Sequence, residues 1–170
     1  CVFLSFSTCF GGLFCGSTVL TVTLTRIPEV ATLFLSGFDS LRDCANAVAD
    51  IIKYGIIPAG LEMMYEFSIE ASDEFARPGS PLGSKALLLC ELDGSDELVS
   101  DDLETVLRLL SRASSVRVSE SEEERLLLWQ GRQSAFPAVG RISPDSYCLA
   151  GTIPTRPLAA VLATINAFSK

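Results

Sequence analysis

Two arginines and the single tryptophan of the chain fall on one face of a predicted helix. Arg125, Trp129, Arg132 and Phe136 are spaced by four, three and four residues in a helix expected to span Glu122 to Phe136. A guanidinium offers paired donors and an indole excludes water, so this face suits a planar carboxylate. The alternative, which periodicity alone favours, is an amphipathic helix with Trp129 in the core and arginines that extend to solvent.

An acidic run precedes this helix and could be mistaken for a metal site. Ser121 followed by glutamates up to Glu124 has instead the spacing of a capping box, with negative charge at the positive end of the helix. Ligand carboxylates would also need partners that the run does not supply. The chain contains no His, which excludes His-based triads and His-ligated metals within it, and we expect no metal site.

Composition narrows the class of protein further. The chain has 170 residues, enough for one domain with a proper core, and 48% of them are hydrophobic. Its net charge of -8 gives a surface that repels phosphate backbones, so nucleic acid is not an expected partner. Residues 1–25 carry no charge, but the Ser, Thr and Gly that interrupt them favour buried strands over a stable membrane span.

The chain has six cysteines and no CxxC pair. Cys44, Cys90 and Cys148 lie within apolar patterns, where a free Cys behaves as a small hydrophobic residue. We interpret them as buried, reduced thiols of a cytoplasmic or mitochondrial protein, and not as disulfides or a catalytic thiol.

Hydrophobic periodicity predicts alternating strands and helices. Continuous or alternating apolar runs predict strands, and a period of 3.6 residues predicts helices. The predicted strands are Val30–Phe38, Ala86–Leu92, Ser115–Ser119 and Tyr147–Ile153. Besides the helix that begins at Glu122, the predicted helices run from an Asp39 or Ser40 cap to Tyr54, over Leu61–Ala76, over Asp96–Arg112, and from Pro157 to Phe168. A loop is predicted after Pro137. This order indicates an α+β fold with helices packed on one face of a largely antiparallel sheet.

Several motifs together carry a family resemblance. They are Trp129-Gln-Gly-Arg132, Ala135-Phe-Pro-Ala-Val-Gly-Arg-Ile-Ser-Pro-Asp145, Tyr147-Cys148 and Gly151-Thr-Ile-Pro154, with Gly55-Ile-Ile-Pro58, Leu61-Glu-Met-Met64 and Leu88-Leu-Cys-Glu-Leu-Asp-Gly94 upstream. In these motifs the chain resembles the C-terminal domain of FAD-linked oxidases. Within that family it is similar to the group of D-lactate and D-2-hydroxyacid dehydrogenases that includes glycolate oxidase.

The resemblance implies a fold, a cofactor and a role. Residues 27–170 would be a ferredoxin-like substrate-cap domain, and residues 1–26 the degraded end of an FAD-binding domain or a lead segment. FAD would be bound mainly by a domain outside this chain, and the substrate would be a small 2-hydroxy acid, glycolate or D-lactate. The implied partners are that FAD-binding domain or other oxidase subunits. The implied substrate-binding residues are Arg132, which takes the carboxylate, Trp129 and Tyr147, and the implied flavin-proximal residues are Thr152, Pro154 and Arg156.

The chain also departs from the family pattern at two positions. Ala150 stands where the family usually has an acidic residue, and Thr155 stands where a basic residue is common. The family's His-containing motif follows the last helix, and this chain stops at Lys170 before it. Since oxidation of a hydroxy acid needs a base and an electron acceptor, we do not expect catalysis by this chain alone. The alternative is a non-catalytic, truncated α+β domain that acts in association or has no activity.

Overall fold

An antiparallel sheet lies at the centre of the part of the chain that the structure describes. The structure is a computed structural model and describes Leu4–Ser5, residues 27–143, Asp145, residues 151–154 and residues 157–168. The strands are β1 (Leu4–Ser5), β2 (Val30–Phe38), β3 (Gly60–Tyr65), β4 (Ala86–Gly94) and β5 (Ser115–Val118). They are ordered β1-β3-β4-β2-β5, and all neighbouring pairs are antiparallel.

Six helices within the described residues connect and cover these strands. They are α1 (Leu41–Tyr54), α2 (Glu66–Ala76), α3 (Asp96–Leu109), α4 (Glu122–Gln133), α5 (Ala135–Ile142) and α6 (Leu158–Phe168). The succession β2-α1-β3-β4-α3-β5 and its strand order give the ferredoxin-like arrangement, with α2 inserted between β3 and β4. The predicted α+β class and the antiparallel sheet are confirmed.

The helices cover both faces of the sheet, and not the single face predicted from the sequence. On the first face, Phe34 and Leu88 lie in a core cluster with residues of α1, α3 and α6. On the second face, Leu33 and Leu89 lie in a separate cluster with residues of α2, α4 and α5. The physical reason is that β2 and β4 are apolar at both alternating sets of positions, which is the pattern of strands buried on both sides.

The segment from Leu61 to Tyr65 is a strand, so the helix predicted over Leu61–Ala76 is wrong in its first part. Leu61 and Met63 point to the first face, whereas Met64 belongs to the cluster on the second face. Met and Leu favour helices in isolation, but pairing with β4 along the whole of β3 overrides that weak preference. The helical part begins only at Glu66.

The region around Pro137 also differs from the prediction. Instead of one helix to Phe136 followed by a loop, α4 ends at Gln133 and α5 begins at Ala135. A proline ring collides with the carbonyl four residues earlier, here that of Gln133, but is tolerated in the first turn of a helix. Pro137 therefore separates the two helices and then stands in the first turn of the second.

The last predicted strand and the cysteines are only partly described. Gly151–Pro154 has no regular secondary structure, and Tyr147–Ala150 lies outside the described residues. Cys44 and Cys90 are buried free thiols, as predicted, and burial raises the pKa of each well above its ordinary value. Cys1, Cys9, Cys15 and Cys148 fall outside the described part. Among the helices that are described, none has the length and apolar character needed to cross a membrane.

Tyr65 provides a test of packing on the first face. Its hydroxyl is buried without a hydrogen-bond partner among the described residues, and burial, followed by the nearby Cys44, raises the pKa of Tyr65 to about 12. The neutral phenol is therefore favoured in the folded state, and its contribution to stability is complete below pH ~10 and lost as the pH rises through about 12. Tyr65→Phe should leave the free energy of unfolding at neutral pH unchanged or increase it by up to about 1 kcal/mol. The variant should also lose less stability than the wild type at alkaline pH.

Urea unfolding at neutral and alkaline pH measures both effects. Tyr54→Phe is the matched control, because Tyr54 is 63% exposed and should change neither quantity. A clear loss of stability at neutral pH in Tyr65→Phe would show that the hydroxyl has a partner and would contradict the prediction.

Candidate carboxylate-binding site

Two carboxylates, one buried and one partly buried, lie on the second face of the sheet. Glu62 of β3 and Glu91 of β4 have side chains that are 11% and 14% exposed. Glu62 lies opposite Leu89 in the β3–β4 register, and Glu91 lies opposite Gly60. Because their surroundings are largely apolar, each carboxylate needs a counter-charge and hydrogen-bond donors there.

Helix α4 supplies both counter-charges from one side. Arg132 donates from Nε to Oε2 of Glu62, and Arg125 donates from Nη1 to Oε2 of Glu91 at 2.5 Å. The two guanidinium-bearing side chains are themselves only 20% and 18% exposed. Their spacing of seven residues corresponds to about two helical turns, which places both on the face of α4 that meets the sheet.

Arg125 is held by a second carboxylate as well. Glu122, one turn earlier on α4, accepts from Nε of Arg125 at 2.7 Å and from Nη2 at 2.6 Å. The hydrogen bond with Glu122 is the main cause that raises the pKa of Arg125, and the same bond lowers the pKa of Glu122. Since its Nε and both of its Nη atoms donate to carboxylates of the chain itself, Arg125 has a structural role.

The indole of Trp129 lies against the backbone of β3. A Cβ atom added at Gly60 would be 2.8 Å from Cζ2 and 2.9 Å from Cη2 of Trp129, so only glycine leaves room for the ring. The indole Nε1 donates to Oε2 of Glu91 at 2.5 Å. Trp129 is thus part of the second core, while the arginines on either side of it pair with carboxylates and do not extend freely into solvent as the alternative interpretation expected.

The start of α4 is fixed by the predicted capping residues. The backbone N–H of Glu124 donates to Oγ of Ser121 at 3.2 Å. The carboxylate of Glu124 accepts from the backbone N–H of Glu120 at 2.8 Å and pairs with Arg117. Both contacts lower the pKa of Glu124, and the hydrogen bond from the backbone of Glu120 contributes most. The capping prediction is confirmed, although the second bond of the box goes to Glu120 and not to Ser121.

The structure brings together only some of the residues predicted for the site. Trp129 and Arg132 meet the same face of β3, at Gly60 and Glu62. Phe136 belongs to α5 and is 58% exposed, so the four-residue face predicted for one helix is not formed.

The other predicted residues lie elsewhere. Thr152 and Pro154 are exposed, and Ile153 between them packs against the cluster on the first face, on the side of the sheet away from Arg132. The structure therefore does not bring these two residues to the α4 face. Tyr147 and Arg156 lie outside the described residues.

Sequence reasoning missed the acidic half of the arrangement. Glu62 and Glu91 each interrupt an otherwise apolar segment, in Leu61-Glu-Met-Met64 and Leu88-Leu-Cys-Glu-Leu92. A lone carboxylate within a buried strand indicates a buried cationic partner, because an unpaired charge is rarely tolerated there. For Glu62 that signal was hidden by the wrong helix prediction.

Comparison with known proteins decides the family. A family model described as FAD linked oxidases, C-terminal domain, matches residues 27–170. The chain belongs to this family. The glycolate oxidase subunit GlcD of Escherichia coli (strain K12) is 49% identical over 156 residues, which cover 91% of this chain and 31% of that protein. The subunit of the same name from Bacillus subtilis (strain 168) is 32% identical over 151 residues, covering 88% of this chain and 32% of that protein.

A solved structure supports the fold of the FAD-linked oxidase domain. An alkyldihydroxyacetonephosphate synthase superposes with a TM-score of 0.51 at 14% identity, over 69% of this chain and 24% of that one. At this identity the likeness concerns the fold alone. The chain spans about a third of the length of the curated relatives that it matches.

The described residues do not fit the FAD that this family uses. A cavity of about 490 Å³ lies beside the starts of α3 and α4, and Glu29, Asp96, Glu120 and Glu122 contribute to its lining. These carboxylates would repel the pyrophosphate of a dinucleotide. No part of the described chain offers a glycine-rich loop at a helix start, which is the usual cradle for a pyrophosphate.

Substitution of Gly60 tests the contact beneath Trp129. In Gly60→Ala the new methyl group must displace the indole, so we expect a loss of about 1–3 kcal/mol in the free energy of unfolding and a shift of tryptophan emission. Trp129 is the single tryptophan of the chain, so fluorescence reports on this site alone.

Gly140→Ala is the matched control for this substitution. A Cβ atom at Gly140 meets nothing within 4 Å, and alanine favours a helix interior, so this variant should be about 0.5–1 kcal/mol more stable with unchanged emission. Equal stability of Gly60→Ala and the wild type, with the same emission, would contradict the close packing.

Proposed function

We propose that this chain is the substrate-binding cap of an FAD-dependent oxidoreductase that oxidises a small 2-hydroxy acid, glycolate or D-lactate. In this proposal residues 27–170 form the substrate-cap domain, and residues 1–26 belong to the end of an FAD-binding domain or to a lead segment. Arg132 binds the carboxylate of the acid, and Trp129 lies beside it. The observation that supports this most is the placement of both side chains on one face of β3, in a stretch that matches the family.

The chemistry of the guanidinium suits such a substrate. Arginine remains charged at all physiological pH values and presents its donors in a planar fork that matches a carboxylate. Within the chain, the carboxylate of Glu62 already accepts a charge-assisted hydrogen bond from Nε of Arg132. The indole and the apolar second core keep water from part of this environment, which strengthens the charge-assisted bonds.

The proposal also specifies partners. FAD is bound mainly by a domain outside the described residues, and that domain or other oxidase subunits would meet the cap. Under this proposal Tyr147 contacts the substrate, and Thr152, Pro154 and Arg156 lie near the flavin; these four roles stay predictions. We propose a cytoplasmic location, which the bacterial relatives favour over a mitochondrial one.

A second function from another class is a non-catalytic α+β domain that acts by association or has no activity. Ala150 and Thr155, which depart from the family motif, favour it. The visible absorption of the purified protein separates the two. Flavin bands that co-purify with the chain would exclude the second function, whereas protein without flavin that also fails to bind glycolate when mixed with a family FAD-binding domain would support it.

Replacement of Arg132 tests the leading proposal. Calorimetry would follow binding of glycolate and D-lactate to the chain mixed with a family FAD-binding domain. Arg132→Ala should weaken binding about 10-fold or more, because hydrogen bonds to charged groups contribute about 1.5–3 kcal/mol each. Arg132→Lys retains the charge but not the fork, and should also bind more weakly than the wild type.

The control for this experiment is Arg112→Ala. The side chain of Arg112 is 68% exposed and pairs with Asp43, away from the α4 face, so its removal should leave affinity unchanged. If neither replacement of Arg132 altered the affinity for either acid, the assignment of the substrate site would be wrong.

A further inference from the structure

The indole of Trp129 is held along one edge by two residues that lie opposite each other in the sheet. Its Nε1 donates to Oε2 of Glu91 at 2.5 Å, and its Cζ2 and Cη2 atoms leave no room for a Cβ atom at Gly60. Gly60 and Glu91 are partners in the β3–β4 register. Because Nε1, Cζ2 and Cη2 belong to the same side of the ring system, one cross-strand pair determines both how close this edge lies to the sheet and where its N–H points.

Glu91 is itself held in place. Its Oε2 also accepts from Nη1 of Arg125 at 2.5 Å, and Arg125 donates from Nε and Nη2 to Glu122. The side chains of Glu91 and Arg125 are only 14% and 18% exposed, so solvent competes little for these hydrogen bonds. The acceptor of the indole therefore has a defined position, because β4 fixes its backbone and Arg125 holds its carboxylate.

Apolar packing alone leaves the orientation of an indole less well determined. The torsion that turns an aromatic ring is broad and roughly two-fold, and contacts among apolar groups have little directionality. A ring turned over would direct Nε1 away from Glu91 and leave the donor without this acceptor. Since a hydrogen bond to a charged group favours the observed orientation by about 10-fold or more, Glu91 selects one orientation of Trp129 over the other.

The hydrogen bond from Trp129 is not needed to compensate the charge of Glu91. Arg125 already supplies that counter-charge, and it stays paired with Glu122 as well. A ring that only filled the second core could be phenylalanine, which has no donor that needs a partner. A tryptophan whose donor meets a fixed carboxylate is what a site requires when the orientation of the ring matters for a ligand beside it.

We infer that Glu91 is the positioning residue for Trp129: by accepting from Nε1 it fixes the orientation of the indole beside the bound acid. This inference rests on the proposed function, since it takes Trp129 as part of the substrate site. Glu91 does not itself touch the substrate. It acts through the ring, in the way that hydrogen-bonded supporting residues orient the groups that contact a ligand.

Nuclear magnetic resonance of the 15N-labelled 170-residue chain tests this role without any activity measurement. Because Trp129 is the single tryptophan, the spectrum contains one indole N–H signal, and its exchange with water should be slow since Glu91 accepts the proton. Glycolate is the probe, titrated in a calorimeter against the chain mixed with a family FAD-binding domain. Glu91→Ala should abolish the exchange protection and weaken glycolate binding about 10-fold, as is typical when a supporting partner is removed.

Glu122→Ala is the matched control for this substitution. It removes the other carboxylate partner of Arg125 but leaves the acceptor of Trp129 in place. It should change neither the indole signal nor the affinity for glycolate.

Glu91→Gln keeps the test decisive if Glu91→Ala unfolds. Its amide oxygen can still accept from Nε1 of Trp129, but more weakly than a carboxylate. We therefore expect faster exchange of the indole N–H and weaker glycolate binding than in the wild type.

The outcomes separate this inference from the function on which it rests. Equal effects of Glu91→Ala and Glu122→Ala would assign the loss to α4 as a whole and overturn the positioning role, as would an indole N–H that is unprotected in the wild type. Unchanged affinity in both Glu91 variants, with binding lost in Arg132→Ala, would overturn positioning but retain the proposed function. Absence of glycolate binding by the wild-type chain, alone and with a family FAD-binding domain, would overturn both.

Discussion

Neutralisation of two carboxylates that are withdrawn from solvent, Glu62 almost fully and Glu91 in part, is the constraint on which the second half of the molecule depends. Glu62 and Glu91 stand on neighbouring strands of a face that is otherwise apolar, and helix α4 carries the arginines that pair with them. Removing one partner of a buried pair costs about 3–5 kcal/mol, because the other charge is left uncompensated. The position and rotation of α4 over the sheet are therefore fixed more narrowly than apolar packing alone would require, since dispersion contacts have little directionality.

The sequence predicts the strands and helices whose signals are local. Strand β2 was predicted at its observed limits, and helix α1 lies between its cap at Ser40 and Gly55, whose φ of 99° favours glycine. Where pairing with a distant strand competes with local preference, prediction failed, as it did at Leu61–Tyr65. The core on both faces of the sheet was not predicted for a related reason. A continuous apolar run indicates that a strand is buried, but it does not by itself show whether helices cover one face or both.

The sequence predicts the residues that α4 contributes to the candidate site, but not the carboxylates that pair with them. The spacing of Trp129 and Arg132 on a helix is visible in the sequence, because both belong to one element with a fixed period. The hydrogen-bond acceptors of these side chains are not visible in the sequence. The contact between Glu62 and Arg132 depends on how β3 is placed in the sheet and on which face α4 covers. Phe136 does not share that face, because Pro137 ends the preceding helix and places Phe136 in α5.

The two arginines of α4 both pair with carboxylates of the chain itself. Arg125 is surrounded by Glu91 and Glu122, so its net charge is more than compensated and it has little attraction for another anion. Arg132 is paired with Glu62 through Nε, the edge of the guanidinium nearest its own side chain. A buried cation with no internal partner would destabilise the fold, whereas one enclosed by carboxylates would reject a ligand carboxylate. The pair with Glu62 meets the first requirement, because it supplies the counter-charge for Arg132 within the second core and ties α4 to β3.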